Sequence, residues 1–171
     1  MAQKFPALLF GGLLGVFAVL PHLGRRVPEF LAHAVVVAAA GVVGTYLLPR
    51  SRLQVRSTLR AAALAVGVGV VTAVVLVVLD RVLVASTTAG PPLWTGFLYA
   101  LYGGITEEVV FHYGLLTALA WLALRVTPGS APYWIAIAVS AAAMGLWLLP
   151  APGAVVLNAL GGVVTGWLYW R

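Results

Sequence analysis

The sequence predicts an all-α protein, a polytopic transmembrane bundle of about six membrane-spanning helices that forms one integral membrane domain over residues 1–171. Hydrophobic residues make up 63% of the chain and charged residues 8%, and the mean hydropathy is +1.06. A typical soluble domain has about 25% charged residues. The apolar residues also fall into long runs separated by short segments rich in Pro, Gly and Arg. That pattern is typical of chains that cross a bilayer repeatedly.

Five of the predicted helices follow directly from these runs. The first carries Pro6 near its start, where proline is tolerated, and the second ends at Pro49. The third is rich in valine, which favours strands, but its length of about 19 residues suits a bilayer. A polar turn at residues 86–92 and a loop at residues 126–132 separate the later runs. The five predicted helices cover residues 5–20, 30–48, 61–79, 133–149 and 154–170.

The stretch from Leu93 to Arg125 forms the remaining helical segment and is too long for one straight span. At 1.5 Å per residue it would measure about 48 Å, against a hydrocarbon core of about 30 Å. Gly103-Gly104 is the expected break, which would give a half-helix followed by a second helix that begins near Thr106. Backbone N–H groups at that N-terminus would then face Glu107 and Glu108.

The basic residues predict the orientation. With six spans, seven basic residues lie on one side and three on the other, and an excess of Lys and Arg marks the cytoplasmic side. The sequence therefore predicts an integral protein of the plasma membrane, partnered by the lipid bilayer, with both termini in the cytoplasm. The seven residues are Lys4, Arg50, Arg52, Arg56, Arg60, Arg125 and Arg171, and the three are Arg25, Arg26 and Arg81.

Composition excludes several classes of function. The net charge is +6, but the basic residues lie at the ends of apolar runs, so we predict no nucleic-acid partner. The chain has no cysteine, which excludes disulfides, thiolate zinc sites and cysteine nucleophiles. The first apolar run lacks a small-residue cleavage site, so we expect a retained helix rather than a signal peptide.

The candidate site lies in the segment Thr106 to Gly114, between two apolar runs. A charged side chain at the bilayer centre costs about 2.5–3.5 kcal/mol on insertion scales, so two adjacent carboxylates indicate a functional site. The alternative is a buried polar contact between helices. Glu108 and His112 are four residues apart and share a helix face, and a glutamate beside an imidazole is half of a water-activating centre. We predict catalytic roles for Glu107, Glu108 and His112.

The spacing of the polar residues does not predict a metal site. The helical zinc signature H-E-x-x-H needs two histidines, and this segment has one. We therefore assign no cofactor and no metal ligand, and a divalent metal such as zinc is an alternative that the spacing does not support. We interpret His33 as pairing with Glu29 at the interface, His22 as solvated, and Asn158 as forming an interhelical hydrogen bond.

Two blocks of the sequence resemble a known family. Residues 106–116, Thr-Glu-Glu-Val-Val-Phe-His-Tyr-Gly-Leu-Leu, resemble the first motif of the CAAX-protease and bacteriocin-processing (CPBP) family of intramembrane endopeptidases, which is Glu-Glu-x-x-x-Arg followed by glycine and leucines. The block from Leu157 to Tyr169 is similar to a late helix of that family. The resemblance implies endoproteolysis of membrane-associated or prenylated peptide substrates. It also implies that a glutamate and a histidine activate water, while a later histidine and an asparagine or aspartate stabilise the oxyanion.

Several positions depart from the family pattern. His112 stands where the family has arginine, and Met144 and Leu148 stand where the motif Phe-x-x-x-His places its phenylalanine and histidine. The third motif is expected in a helix after the sixth, beyond Arg171. Glu107 and Glu108 match by identity and His112 by position only. We therefore predict that the chain cleaves a CAAX-type reporter weakly or not at all.

Two other functions remain open at this point. One is a non-catalytic relative that binds a membrane partner or an isoprenyl-like lipid. The other is a proton-coupled transporter in which Glu107 and Glu108 relay protons beside a broken helix. A second half-broken helix in a related repeat would favour the transporter, and the sequence shows none.

Overall fold

The computed structural model describes residues 5–19, 27–53, 59–83, 93–147 and 152–171, and this part of the chain is helical with no strand. The all-α prediction is therefore confirmed, and the predicted helices are found within a few residues of their expected ends. The helices are α1 (Phe5–Val19), α2 (Val27–Leu47), α3 (Leu59–Leu83), α4 (Leu93–Leu101, Tyr102–Leu116 and Thr117–Ala123 in succession), α5 (Ala131–Leu146) and α6 (Pro152–Trp170). A short 3₁₀ turn, Leu48–Arg50, follows α2.

Three of the described segments are long and apolar enough to cross a membrane, namely Pro28–Arg50, Ala63–Val82 and Pro152–Trp170. The helix Ala131–Leu146 is apolar but shorter. Together these segments support an integral membrane protein, while the number of spans stays a prediction. Several residues that the predictions use lie outside the described residues: Lys4, His22, Arg25, Arg26, Arg56, residues 86–92 and Leu148.

Helix α4 does not break at Gly103-Gly104, so the predicted half-helix is wrong. Leu101 keeps helical angles (φ −65°, ψ −42°), and the next 15 residues, Tyr102–Leu116, form a π-helix before the α-helix resumes at Thr117. The i→i+5 bonds of a π-helix place more residues in each turn, which takes up part of the excess length. Because the backbone amides near Glu107 belong to this helix, no helix N-terminus faces the carboxylates.

The π-helical segment lies at the centre of the fold, between α1, α2 and α5. Glycines allow these helices to approach closely. A Cβ on Gly114 would lie 2.9 Å from Cα of Ala40 in α2, and a Cβ on Gly162 in α6 would lie 3.0 Å from Cα of Ala141 in α5. Small residues at such positions permit close contact between helices.

Helix α3 lies at the periphery, where it packs on α6. The apolar window that could span a membrane, Ala63–Val82, has no buried residue. An apolar helix exposed along its length is expected where the surrounding solvent is lipid. The outer face of α3 therefore supports the membrane assignment more directly than the packed helices do.

Buried side chains form two clusters. The first surrounds the π-helical segment, and its buried members are Val16, Val37, Tyr102, Val109, Val110, Phe111 and Met144. The second lies where the turn after α2, the end of α4 and the start of α5 meet, and its buried members are Leu53, Leu116, Ala120, Tyr133, Ala136 and Ile137. The candidate site residues lie on the segment that both clusters share.

Candidate active site

The π-helical segment carries the three predicted site residues, Glu107, Glu108 and His112. Glu107 is 8% exposed and His112 is 1% exposed, whereas the Glu108 side chain is 38% exposed. The Nδ1 atom of His112 lies 3.1 Å from Oε2 of Glu108. The predicted contact between these two residues is therefore confirmed.

The other imidazole nitrogen of His112 contacts α6. Nε2 lies 3.1 Å from Oγ1 of Thr165 and 3.3 Å from the carbonyl oxygen of Gly162. The Thr165 hydroxyl donates its proton to the carbonyl oxygen of Gly161, at 3.0 Å, so a lone pair of Oγ1 faces the imidazole. Because both neighbours of Nε2 are acceptors, Nε2 carries a proton.

This arrangement constrains the proton between His112 and Glu108. If the imidazole is neutral, its protonated Nε2 leaves a lone pair on Nδ1, and a lone pair repels a carboxylate at 3.1 Å. A proton on either of the two groups would remove this repulsion. The pair is close but not aligned as a hydrogen bond, since Nδ1 has no hydrogen-bond partner among the described residues. Rotation of the half-exposed Glu108 side chain would align it.

Glu107 lies on a different side of the helix from this pair. Its Oε2 would be 3.5 Å from a Cβ built on Gly103, so the carboxylate lies over the bare backbone of that glycine. No residue in the described part of the chain donates a hydrogen bond to this carboxylate. A buried carboxylate with unused lone pairs can accept a proton from water.

Hydroxyl groups from neighbouring helices hold the backbone around the site. Thr106 donates to the carbonyl oxygen of Gly12 in α1 at 2.8 Å. Ser140 in α5 donates to the carbonyl oxygen of Phe111 at 2.6 Å. Sequence reasoning missed these two residues and Thr165, because a single hydroxyl in an apolar helix carries no signal of its partner. The spacing of Thr165 to Gly161 only predicts a bond within its own helix.

Two further polar residues have partners close to those predicted. His33 donates from Nδ1 to the backbone carbonyl oxygen of Glu29 at 2.7 Å, so the pairing runs through the main chain. Its ring packs edge-on against Trp147, with the centroids 5.6 Å apart. Asn158 donates from Nδ2 in α6 to the carbonyl oxygen of Met144 in α5 at 2.8 Å, which confirms the interhelical hydrogen bond. Within the described ranges, no group of three or more His, Cys, Asp and Glu side chains is placed to hold a metal ion.

A comparison with family models finds one match for this chain. The family model described as type II CAAX prenyl endopeptidase Rce1-like matches residues 89–171. Residues 89–171, which we call the Rce1-like segment, are therefore similar to this family. No curated protein and no solved structure matches the chain. The Rce1-like segment contains α4, α5 and α6, so it contains all three predicted site residues.

The Rce1-like segment confirms the family to which the sequence motifs point. The structure describes the surroundings of two residues that depart from the family pattern. Met144, at the position of the motif phenylalanine, is buried in the cluster around the π-helical segment. His112, at the position of the motif arginine, contacts Glu108 on one side and Thr165 on the other. An imidazole thus replaces a forked guanidinium, with fewer donors to offer to the carboxylates.

Proposed function

We propose that this Rce1-like chain is an intramembrane endopeptidase that acts slowly on membrane-associated or prenylated peptide substrates, with Glu107 as the base that activates water. The match of residues 89–171 to the Rce1-like family model supports the reaction class. The single observation that carries the choice of residue is the position of Glu107, which is buried on the π-helical segment and accepts no hydrogen bond from any described residue.

In the proposed reaction, Glu107 takes a proton from water while the water oxygen attacks the carbonyl carbon of the scissile peptide bond. The new C–O bond forms, the carbonyl π electrons move to oxygen, and the tetrahedral intermediate then breaks its C–N bond. The proton held by Glu107 passes to the leaving amine, so the carboxylate is regenerated. A well-placed acid–base group contributes typically about 10²–10⁴-fold to such a reaction.

Slow turnover follows from the roles of the remaining polar groups. The Nε2 proton of His112 is directed to Thr165 and Gly162, and Nδ1 faces Glu108. Because His112 is 1% exposed, its imidazole is closed to a substrate. The resemblance implies a second histidine at position 148, where the chain has Leu148, and a leucine can neither accept nor donate a proton.

The unbroken course of α4 bears on the alternatives. The transporter hypothesis rests on a broken helix beside the two carboxylates, and the described α4 runs through Gly103-Gly104 without a break. No observation therefore favours the transporter. The non-catalytic relative that binds a membrane partner or lipid shares the fold and family, and the activity measurement distinguishes it.

The test is hydrolysis of a fluorogenic prenylated CAAX peptide by the purified chain in liposomes. We expect slow cleavage that is lost in Glu107→Gln, which keeps the side-chain shape and removes the basic oxygen. Asp80→Asn, at the end of α3 and far from the site in the sequence, is the matched control and should leave the rate unchanged. Cleavage at equal rates by the chain and by Glu107→Gln would show that Glu107 is not the base and would point to a contaminating protease. Binding of the peptide without cleavage would indicate a non-catalytic binding protein.

We also propose that the protein resides in the plasma membrane with both termini in the cytoplasm. The support is the distribution of basic residues, seven on the proposed cytoplasmic side and three on the other.

A further inference from the structure

One end of the bundle gathers the turn after α2, the loop after α4 and the end of α6. The hydroxyl of Tyr133 donates to the carbonyl oxygen of Ser51 at 3.3 Å, which ties the start of α5 to that turn. The Tyr133 ring stacks on Trp170, with the centroids 5.3 Å apart. Leu53 and Leu124 pack into the same cluster. These contacts place segments that are far apart in the sequence side by side.

Four exposed arginines, which we call the arginine collar, lie on the segments that meet at this end: Arg50, Arg52, Arg125 and Arg171. Three of them stack on an aromatic ring of the helix that they follow. Cζ lies 4.0 Å from the ring centroid of Tyr46 for Arg50, 3.9 Å from that of Trp121 for Arg125, and 4.8 Å from that of Trp170 for Arg171.

Stacking leaves the guanidinium groups able to bind a ligand. A ring contacts the flat face of the guanidinium, whereas its N–H donors lie along the edge. Arg50 uses one of these donors on the carbonyl oxygen of Tyr46, and its other donors stay available. The rings therefore restrict the motion of the guanidinium groups before any ligand binds. Binding of an anion then costs less side-chain conformational entropy.

No acidic side chain lies on the segments that carry the arginine collar. The chain has four acidic residues, and all four lie elsewhere. Glu29 begins α2 and Asp80 lies near the end of α3, both at the opposite end of the bundle, while Glu107 and Glu108 lie within α4. Four guanidinium groups gathered at one end attract anions from the surrounding medium.

The aromatic residues around the collar identify the level at which this anion lies. Tyr46 is 61% exposed and Trp134 is 47% exposed, and exposed Tyr and Trp rings are typical of the headgroup level of a membrane. We propose that the arginine collar binds the phosphate groups of anionic phospholipids in the leaflet at this end, in preference to zwitterionic lipids. This inference does not depend on catalysis by Glu107.

The test is the thermal stability of the purified chain in detergent micelles during titration with phosphatidylglycerol, phosphatidylcholine or inorganic phosphate. We expect the midpoint to rise with phosphatidylglycerol, and to change little with the other two. The triple variant Arg50→Gln, Arg125→Gln, Arg171→Gln should lose this rise, with the apparent affinity falling by roughly fivefold for each charge removed. Arg81→Gln, at the end of α3, is the matched control and should keep the rise.

Each outcome supports or contradicts the binding of anionic phospholipids by the arginine collar. An equal rise with phosphatidylcholine, or an unchanged rise in the triple variant, would overturn the proposal. A rise with inorganic phosphate alone would indicate a soluble anion instead of a lipid. If the triple variant does not fold, the unmodified chain still supplies a test, because the rise with phosphatidylglycerol must weaken at high salt if charge drives it. A rise that is insensitive to salt would contradict the proposal.

Discussion

Nε2 of His112 lies 3.1 Å from Oγ1 of Thr165, a contact between α4 and α6 that joins residues 53 positions apart in the sequence. It determines the protonated nitrogen of the imidazole and leaves Nδ1 facing Glu108. His112, which stands where the family motif has arginine, is therefore oriented by a hydroxyl of the second block, Leu157 to Tyr169.

Thr165→Val should destabilise the fold, because it removes one of two acceptors of a buried N–H group while it keeps the side-chain shape. We expect a loss of about 0.5–1.5 kcal/mol in the free energy of unfolding, with the carbonyl oxygen of Gly162 limiting the loss. Thr165→Ser retains the hydroxyl and should retain most of the stability. Unfolding in mixed micelles measures both, and equal stability of the two variants would show that the hydroxyl contributes nothing.

Gly114→Ala should destabilise the contact between α2 and α4. The added Cβ would lie 2.6 Å from Cβ and 2.9 Å from Cα of Ala40, and a backbone atom cannot rotate away. Overpacking of this kind costs about 1–3 kcal/mol. Gly69→Ala in α3 is the control, because nothing lies within 4 Å of its Cβ position, and alanine favours a helix over glycine by about 1 kcal/mol. A thermal midpoint that falls equally in both variants would contradict this packing.

Leu148→His should increase the turnover of the CAAX peptide. The substitution supplies the histidine that the family resemblance implies at this position, and an added acid–base group contributes typically about 10²-fold or more. Position 148 lies outside the described residues, so this prediction rests on the sequence motif alone. The gain should disappear when Glu107→Gln is added. An unchanged rate in Leu148→His would show that the missing histidine does not limit the reaction.

Reporter fusions should place both termini in the cytoplasm. A fluorescent protein that folds only in the cytoplasm should be active at either end, and alkaline phosphatase, which is active only outside, should be inactive at either end. The physical reason is the excess of Lys and Arg on the proposed cytoplasmic side. Activity of alkaline phosphatase at one terminus would require an odd number of spans, and activity at both would reverse the orientation.

The family could be identified from the sequence because its signal is local. Glu107 and Glu108 are adjacent, and the glycine and leucines that follow lie within a few residues. The contact between Glu108 and His112 was predictable for the same reason, since helical spacing alone brings residues four apart together. The catalytic roles of these residues stay predictions, and the hydrolysis assay tests them.

The course of α4 was predicted wrongly because a glycine pair is a weak signal. Each glycine costs a helix about 1 kcal/mol relative to alanine, and tertiary contacts outweigh such a cost. Thr106 bonds to Gly12 of α1, and Ser140 of α5 bonds to the carbonyl oxygen of Phe111, on either side of Glu107 and Glu108. Hydrophobic periodicity carries no information about these contacts, so it does not predict a π-helix.

The sequence by itself determined the helices, their apolar character and the segment that carries the carboxylates, because run length, proline and arginine act within a few residues of where they stand. The bond between Thr165 and His112, and the bond between Tyr133 and the turn at Ser51, could be seen only in the folded structure. The physical reason is that these relationships depend on which faces of distant helices meet. Side-chain shape and close glycine contacts across the whole bundle select those faces, and no local pattern records them.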